Sequence, residues 1–179
     1  MIKFGTDGWR AVMAEEFTFA NVELVAQAIA QYVLEEGKGL GVVVGYDNRF
    51  LSRRFAQRVG EVLAGNNIPV YMTSEVCPTP ATAYAILTQK SAGAVMLTAS
   101  HNPPEYNGIK FIPHYAGPAL PDITDKIEAL LEKVLAHGKV EKLTKEKALA
   151  YNLWQEIDPK KAYLKHLRGL VDLELIGQA

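Results

Sequence analysis

Residues Gly93-Ala94-Val95-Met96-Leu97-Thr98-Ala99-Ser100-His101-Asn102-Pro103-Pro104-Glu105-Tyr106-Asn107-Gly108-Ile109-Lys110 join an apolar run to a chemically loaded loop. Gly93 to Leu97 is short, continuous and apolar, which reads as a buried strand. Ser100 follows where strand gives way to loop, the place where open α/β sheets put their ligands. Pro103 and Pro104 fix φ and restrict the residues before them, so the loop is stiff and has little freedom to lose on folding. Asn107-Gly108 tolerates positive φ and is expected to make a tight turn into the next strand. Lys110 would then lie on that strand with its ammonium directed toward Ser100.

A serine near a lysine, an imidazole and backbone N–H groups suits a phosphate site or a phosphoryl acceptor. The same composition also suits an ordinary loop, in which His101 satisfies backbone groups and Lys110 solubilises an edge strand. A hydrolase triad is disfavoured. There is no Gly-x-Ser-x-Gly elbow, and on extended backbone adjacent Ser100 and His101 side chains point apart.

Working outward toward the N-terminus, Thr79 is the expected cap of a helix running to about Gln89, with Pro80 at its first position. Cys77 before proline reads as a small buried hydrophobe. Ile68 to Met72 reads as a strand. Ser52 is expected to cap a helix to about Gly65, with Phe55, Val59, Val62 and Leu63 inward. Val42-Val43-Val44 is a buried strand by its β-branched run, and Asp47 and Arg49 at its C-terminal end are expected to brace loops. Thr18 caps a helix ending near Glu36, with Gly37 as its stop. Residues 2–13 read as two short strands about a turn at Asp7-Gly8, with Trp9 in the core and Arg10 on the hairpin.

Toward the C-terminus, Pro113 to Pro121 is a loop, and Asp122 is expected to cap a helix. That helix buries Ile123, Ile127, Leu130, Leu131, Val134 and Leu135 and ends at His137-Gly138. Lys139 to Lys147 reads as solvated, and Ala148 to Gln155 as a connection of unspecified form. Asp158-Pro159 opens a last helix with Tyr163, Leu164, Leu167 and Val171 on one face. An amphipathic helix without its own sheet needs a partner surface, here a neighbouring copy or the domain's own flank. Alternating strands and helices give an α/β domain with a mostly parallel sheet.

Composition bounds the function. The chain has 179 residues, 49% hydrophobic and 22% charged, with a net charge of −1, the profile of a soluble globular protein. No basic block suits a nucleic acid partner, and no run approaches the ~20 apolar residues of a membrane span. Residues 1–5 lack the apolar core of a signal peptide. Cys77 is the single cysteine, which excludes an internal disulfide and points to a reducing, cytoplasmic setting.

The loop Thr98 to Lys110 resembles the phosphoserine loop of the α-D-phosphohexomutases, the phosphoglucomutase/phosphomannomutase group. Phe4-Gly5-Thr6-Asp7-Gly8-Trp9-Arg10 resembles that family's opening motif, and Gly45-Tyr46-Asp47-Asn48-Arg49 with Ser52 its next loop. The three motifs stand in family order, and the resemblance runs the length of the chain. It implies a three-layer α/β/α domain whose mixed sheet carries one antiparallel strand, and the strand after Asn107-Gly108 is the candidate for it. It also implies interconversion of hexose 1-phosphate and hexose 6-phosphate, of glucose or mannose, through phospho-Ser100 and a hexose 1,6-bisphosphate, which also serves as activator.

By the same resemblance Ser100, Lys110 and Arg10 are the catalytic residues, and His101 and Asn102 shape the loop or touch phosphate or sugar. A Mg²⁺ would be held by the Ser100 phosphate and mainly by a second domain. The family has four domains. Residues 1–150 would be the first, and 151–179 a connection and the first helix of a truncated second. The Asp-x-Asp-x-Asp metal loop and the later sugar and phosphate loops are not found in this chain, which is expected to be inactive without the remaining domains. The alternative is a non-catalytic sugar-phosphate-binding or regulatory module. A generic nucleotide-binding domain is disfavoured, since neither Gly-x-Gly-x-x-Gly nor a P-loop follows a strand.

Overall fold

The computed structural model describes residues 2–5, 8–37 and 39–177. In chain order the elements are β1 (Trp9–Val12), α1 (Phe19–Glu36), β2 (Val42–Tyr46), α2 (Ser52–Gly65), β3 (Val70–Thr73), α3 (Thr79–Gln89), β4 (Gly93–Leu97), β5 (Tyr106–Pro113), α4 (Pro121–His137), α5 (Lys145–Ala150), β6 (Trp154–Ile157), α6 (Lys160–Arg168) and α7 (Leu173–Gly177). The strands form one six-stranded sheet in the order β1-β5-β4-β2-β3-β6. The pairs β4–β2, β2–β3 and β3–β6 are parallel, while β5 is antiparallel to both β1 and β4. Five strands therefore run one way and β5 alone runs against them, as expected for the strand that leaves the serine loop.

Strand alternation divides the core into two layers. Val42, Val44, Val95, Leu97, Ile109 and Phe111 face the larger cluster, which α1, α2 and α4 cover. Val43, Ala94, Met96 and Ile112 face the smaller one, against Ala85 and Ile86 of α3. This is the expected three-layer α/β/α form.

The edge strand β1 is locked by aromatics. Trp9 stacks on Phe17 with centroids 4.9 Å apart, Phe17 meets Phe55 edge-on at 4.8 Å, and Phe19 lies 4.5 Å from Phe55. Such pairs add about 0.5–1.5 kcal/mol each beyond the area they bury. They tie β1 to α1 and α2, and so fix where Arg10 stands.

Several local expectations are corrected. Among the described residues of 2–13 there is one strand, β1, rather than two. Gly5 and Gly8 exchange backbone hydrogen bonds of 3.2 and 2.8 Å, and the Asp7 part of the expected turn lies outside the described residues. Ser52 does not cap α2, because Leu51 at φ +61° occupies the cap and the Ser52 hydroxyl is used elsewhere. Thr79 and Asp122 do not cap either. Pro78 and Leu120 stand in those positions, with a proline in each first turn, where the missing N–H needs no partner. Thr18 does cap α1, accepting from the Asn21 N–H at 3.2 Å. Leu135 of α4 is turned outward.

The stretch from Lys139 to Lys147 is not merely solvated. The Glu141 N–H donates to Gln27 Oε1 at 2.9 Å, the Leu143 N–H to the Glu61 carbonyl at 2.9 Å, and Lys142 pairs with Glu23 at 2.8 Å. These bonds lay it across α1 and α2. It runs into α5, and the connection expected over Ala148 to Gln155 leads into β6, which adds to the sheet beside β3. The last helix is split into α6 and α7. Its partner is the domain's own flank, since Tyr84 of α3 stacks on His166 at 4.6 Å and lies 6.0 Å from Tyr163. Cys77 is buried and unbridged, and burial pushes its thiol up from the ordinary range.

Candidate active site

Ser100 stands three residues beyond β4, exposed, with φ +54°. A left-handed non-glycine residue costs about 1–3 kcal/mol and persists where surrounding structure holds it. Here the hold is explicit. The Thr98 N–H donates to the Gly108 carbonyl at 3.0 Å, the Ser100 N–H to Thr98 Oγ1 at 3.0 Å, and the Asn102 N–H to the Ala99 carbonyl at 3.0 Å. The left-handed turn corrects one expectation. Ser100 and His101 do not point apart, because the backbone between them is not extended, and Ser100 Oγ lies 3.3 Å from His101 Nδ1.

Arg49 organises the loop. Its Nη1 donates to the carbonyls of Pro103 at 2.8 Å and Tyr106 at 3.1 Å, and its Nη2 to those of Ser100 at 3.0 Å and Asn102 at 2.7 Å. The guanidinium has a rigid fork of donors suited to this pattern. Asp47 orients it, with Oδ2 3.4 Å from Arg49 Nε and Oδ1 accepting from the Arg49 N–H at 3.0 Å. Asp47 in turn is fixed on the sheet, its N–H donating to the Leu97 carbonyl at 3.0 Å. The expected bracing role of Asp47 and Arg49 is thus what the geometry gives, and its reach over four carbonyls is the part the sequence does not signal.

Removing the clamp has a definite expected cost. Arg49→Ala should destabilise the chain by about 2–4 kcal/mol, since several charge-assisted bonds are lost together. Arg49→Lys should recover little, because one ammonium cannot match the fork. Urea denaturation measures the loss, and limited proteolysis should show new cleavage between residues 100 and 106. A variant as stable and as resistant as the parent would contradict the clamp.

Asn107 and Gly108 do not form a turn. Both lie inside β5, paired with Ala11 and Arg10 of β1. Asn107 is buried, and its Nδ2 donates to Ser52 Oγ at 3.0 Å and to the Phe50 carbonyl at 3.2 Å. Ser52 Oγ passes its own hydrogen to Asp47 Oδ1 at 2.8 Å. A chain of bonds therefore runs from β5 through Ser52 to Asp47 and Arg49. Gly108 is needed for close approach, as a Cβ there would come within 2.4 Å of the Thr98 carbonyl oxygen.

Arg10 stands opposite Gly108 on β1, and its Nη1 donates to Asn102 Oδ1 at 3.3 Å. It also lines an open depression of about 800 Å³ with Lys3, Trp9, Glu15 and Tyr106. Lys110 stands opposite Met96 of β4. By strand alternation it shares a sheet face with Gly108 and Arg10. Its side chain borders a small cavity of about 210 Å³ with Thr79, Pro80 and Ala116. The structure thus gathers Arg10, Ser100, His101 and Asn102 around one loop, and sets Lys110 on the same face one cavity away. Among the described residues no group of three or more His, Cys, Asp or Glu side chains could hold a metal ion.

Residues 1–137 match the family described as phosphoglucomutase/phosphomannomutase, alpha/beta/alpha domain I. A phosphoglucomutase of Komagataeibacter xylinus is 32% identical over 193 residues, covering 99% of this chain and 34% of that protein. A "Probable phosphomannomutase" of Haemophilus influenzae is 40% identical over 132 residues, covering 69% of this chain and 26% of that protein. A crystal structure from Thermus thermophilus, described as a "putative phosphomannomutase", matches with a TM-score of 0.83 at 37% identity, over 97% of this chain and 37% of that one. This chain spans about a third of the length of the phosphoglucomutase it matches. It belongs to the phosphoglucomutase/phosphomannomutase family, with the family's α/β/α domain I over residues 1–137.

Proposed function

We propose that this chain supplies the phosphoryl-carrying serine of a mutase that interconverts hexose 1-phosphate and hexose 6-phosphate, of glucose or mannose. The observation that carries the reading is Ser100 itself. It is exposed, left-handed and fixed at the C-terminal end of β4 by a loop clamped through its main chain. In the reaction, phospho-Ser100 gives its phosphoryl group to the free hydroxyl of a hexose monophosphate. The P–O bond to Oγ breaks as the bond to the sugar oxygen forms, and the sugar hydroxyl proton ends on Oγ, which leaves Ser100 as a free hydroxyl. Ser100 then takes the other phosphoryl group from the hexose 1,6-bisphosphate, and the monophosphate isomer leaves.

Electrostatics set what this needs. A phosphoserine carries about −1.5 to −2 charge at neutral pH. Each unit of like charge on a substrate phosphate 4 Å away is repelled by about 4 kcal/mol at an effective dielectric near 20. Arg10 and Lys110 are the cations this chain offers on that face of the sheet, suited to stabilise charge on the transferring group. His101 and Asn102 shape the loop around it. Among the described residues no group of three or more His, Cys, Asp or Glu side chains could hold a metal ion; a Mg²⁺ held mainly by a further domain would take a phosphate oxygen of Ser100 as its ligand from this loop. The whole reaction is assigned to the longer protein, with this chain inactive by itself. Among the described residues no helix is long and apolar enough to cross a membrane, and the single cysteine suits a cytoplasmic setting.

The test is the intact mass of the protein expressed from its complete gene, with peptide mapping over Ser100, before and after glucose 1,6-bisphosphate. The expected result is one phosphoryl group on Ser100 that is lost to excess hexose monophosphate. A folded, Mg²⁺-supplied protein with Ser100 unmodified throughout would overturn the reading in favour of a sugar-phosphate-binding module.

A further inference from the structure

A buried thread of hydrogen bonds reaches the Ser100 loop from behind, and the chemistry of its members fixes its direction. Asn107 and Ser52 are both fully buried. The Asn107 amide has two hydrogens. One goes to Ser52 Oγ at 3.0 Å and the other to the Phe50 carbonyl at 3.2 Å, while Oδ1 accepts the Gly108 N–H at 2.9 Å. Ser52 Oγ has one hydrogen. Having accepted from Asn107, it gives that hydrogen to Asp47 Oδ1 at 2.8 Å. An ionised carboxylate only accepts, so Asp47 takes Ser52 on one side and the Arg49 N–H and Nε on the other. Arg49 ends the thread. Its Nη1 and Nη2 have four hydrogens, and four loop carbonyls, including that of Ser100, receive them.

Polar groups are not needed here for stability alone. Replacing both partners of a buried hydrogen bond by apolar groups of the same shape is often nearly neutral. What the thread adds is direction, because each member can face only one way. Two left-handed non-glycine residues, Leu51 at φ +61° and Ser100 at φ +54°, stand on the two loops that Arg49 joins. Asn107 grips both neighbours of Leu51, the Phe50 carbonyl and the Ser52 hydroxyl. Strain held by its surroundings gathers where a geometry is imposed. The strand that anchors the thread also carries Lys110, and its Gly108 carbonyl accepts the Thr98 N–H at 3.0 Å. β5 therefore fixes the serine loop at two separate points.

We propose that Ser52 and Asn107 are positioning residues for phosphoryl transfer. They touch neither substrate nor phosphate. Acting through Asp47 and Arg49, they set where Ser100 stands relative to Arg10 and Lys110. The inference rests on the phosphoryl-carrying role proposed above for Ser100.

The test is made in the protein expressed from its complete gene. Ser52→Ala removes a single oxygen and keeps the rest of the packing. Ser91→Ala is the matched control. It too loses a buried hydroxyl with a hydrogen bond, Ser91 Oγ to the Gly93 carbonyl at 3.1 Å, but at the opposite end of β4 from Ser100. Ser52→Ala is expected to lower kcat for glucose 1-phosphate about 10- to 100-fold, as for a reacting atom set about 1 Å out of place. KM should stay within about threefold of the parent value, since the change falls on transfer rather than on binding. Ser91→Ala should keep the parental kcat. In an Arg49→Lys background, Ser52→Ala should cost less than about threefold more, because residues acting through one thread do not add. Amide hydrogen exchange over residues 98–106 should rise in Ser52→Ala and not in Ser91→Ala.

A parental kcat in Ser52→Ala, with Ser100 phosphorylated and turned over, overturns the positioning role and leaves the phosphoserine reading standing. So do full additivity with Arg49→Lys, unchanged exchange over 98–106, or an equal loss of kcat in Ser91→Ala. A parent protein whose Ser100 is never phosphorylated overturns the phosphoserine reading itself, and the positioning role falls with it.

Discussion

Ser100→Ala, made in the protein expressed from its complete gene, is expected to lower mutase kcat by about 10⁴-fold or more, with the fold intact. The size follows from the role. Oγ is the atom to which the phosphoryl group is bonded between half-reactions, and removing a nucleophile leaves only binding and orientation. The fold survives because, among the described residues, Oγ reaches only the exposed His101 ring, 3.3 Å from Nδ1. The clamp from Arg49 goes to the Ser100 carbonyl, and the loop turn is closed by the Ser100 N–H. Alanine inherits the same left-handed strain at φ +54°, so stability should change by less than about 1 kcal/mol. A coupled assay for glucose 6-phosphate and a thermal denaturation curve on the same preparation separate the two effects. Near-normal turnover would defeat the assignment of Ser100, and a large loss of stability would show that the loop leans on its hydroxyl.

The second large effect concerns stability. Gly8→Ala is expected to destabilise the chain by about 3–5 kcal/mol. Gly8 has φ +83°, and a Cβ there would stand 2.2 Å from the Ile109 carbonyl oxygen and 2.8 Å from Lys110 Cα. Those are main-chain atoms of β5, which cannot rotate aside as a side chain can. To admit the methyl group, β1 must part from β5, and with it go the Trp9 packing and the position of Arg10. Gly39→Ala is the internal control. It too has positive φ, at +76°, but open space around the missing Cβ, so only the backbone strain of about 1–2 kcal/mol remains. Urea denaturation with unchanged m-values measures both. Equal losses in the two variants would show that the close approach of β1 and β5 carries no energy.

The sequence is most legible where physics is local. Val42-Val43-Val44 and Gly93 to Leu97 announce buried strands because an apolar run of that length has no helical period, and both are found there. Thr18 and Gly37 bound α1 through bonds within a few residues. It is least legible where a residue answers to a distant partner. Asn107-Gly108 has turn composition, yet Asn107 is drawn into β5 by Ser52, 55 positions away in sequence. Ser52 has cap composition, but its hydroxyl is already committed to Asp47 and Asn107. Trp154 to Ile157 does not read as a strand because only its two ends are buried, so it shows no alternation. In the site, the loop itself is plain from its residue types. The reach of Arg49 is not, since main-chain carbonyls leave no trace in composition.

Arg49 grips the serine loop only by main-chain carbonyls. Such a grip is indifferent to which side chains the loop displays. The path of the backbone and the reagents mounted on it are therefore separate inventions: His101, Asn102, Pro104 or Glu105 could be exchanged without asking the arginine to change. A frame of this kind lets selection, or an engineer, try new pocket chemistry around a fixed phosphoryl carrier one residue at a time, without rebuilding the loop that holds it.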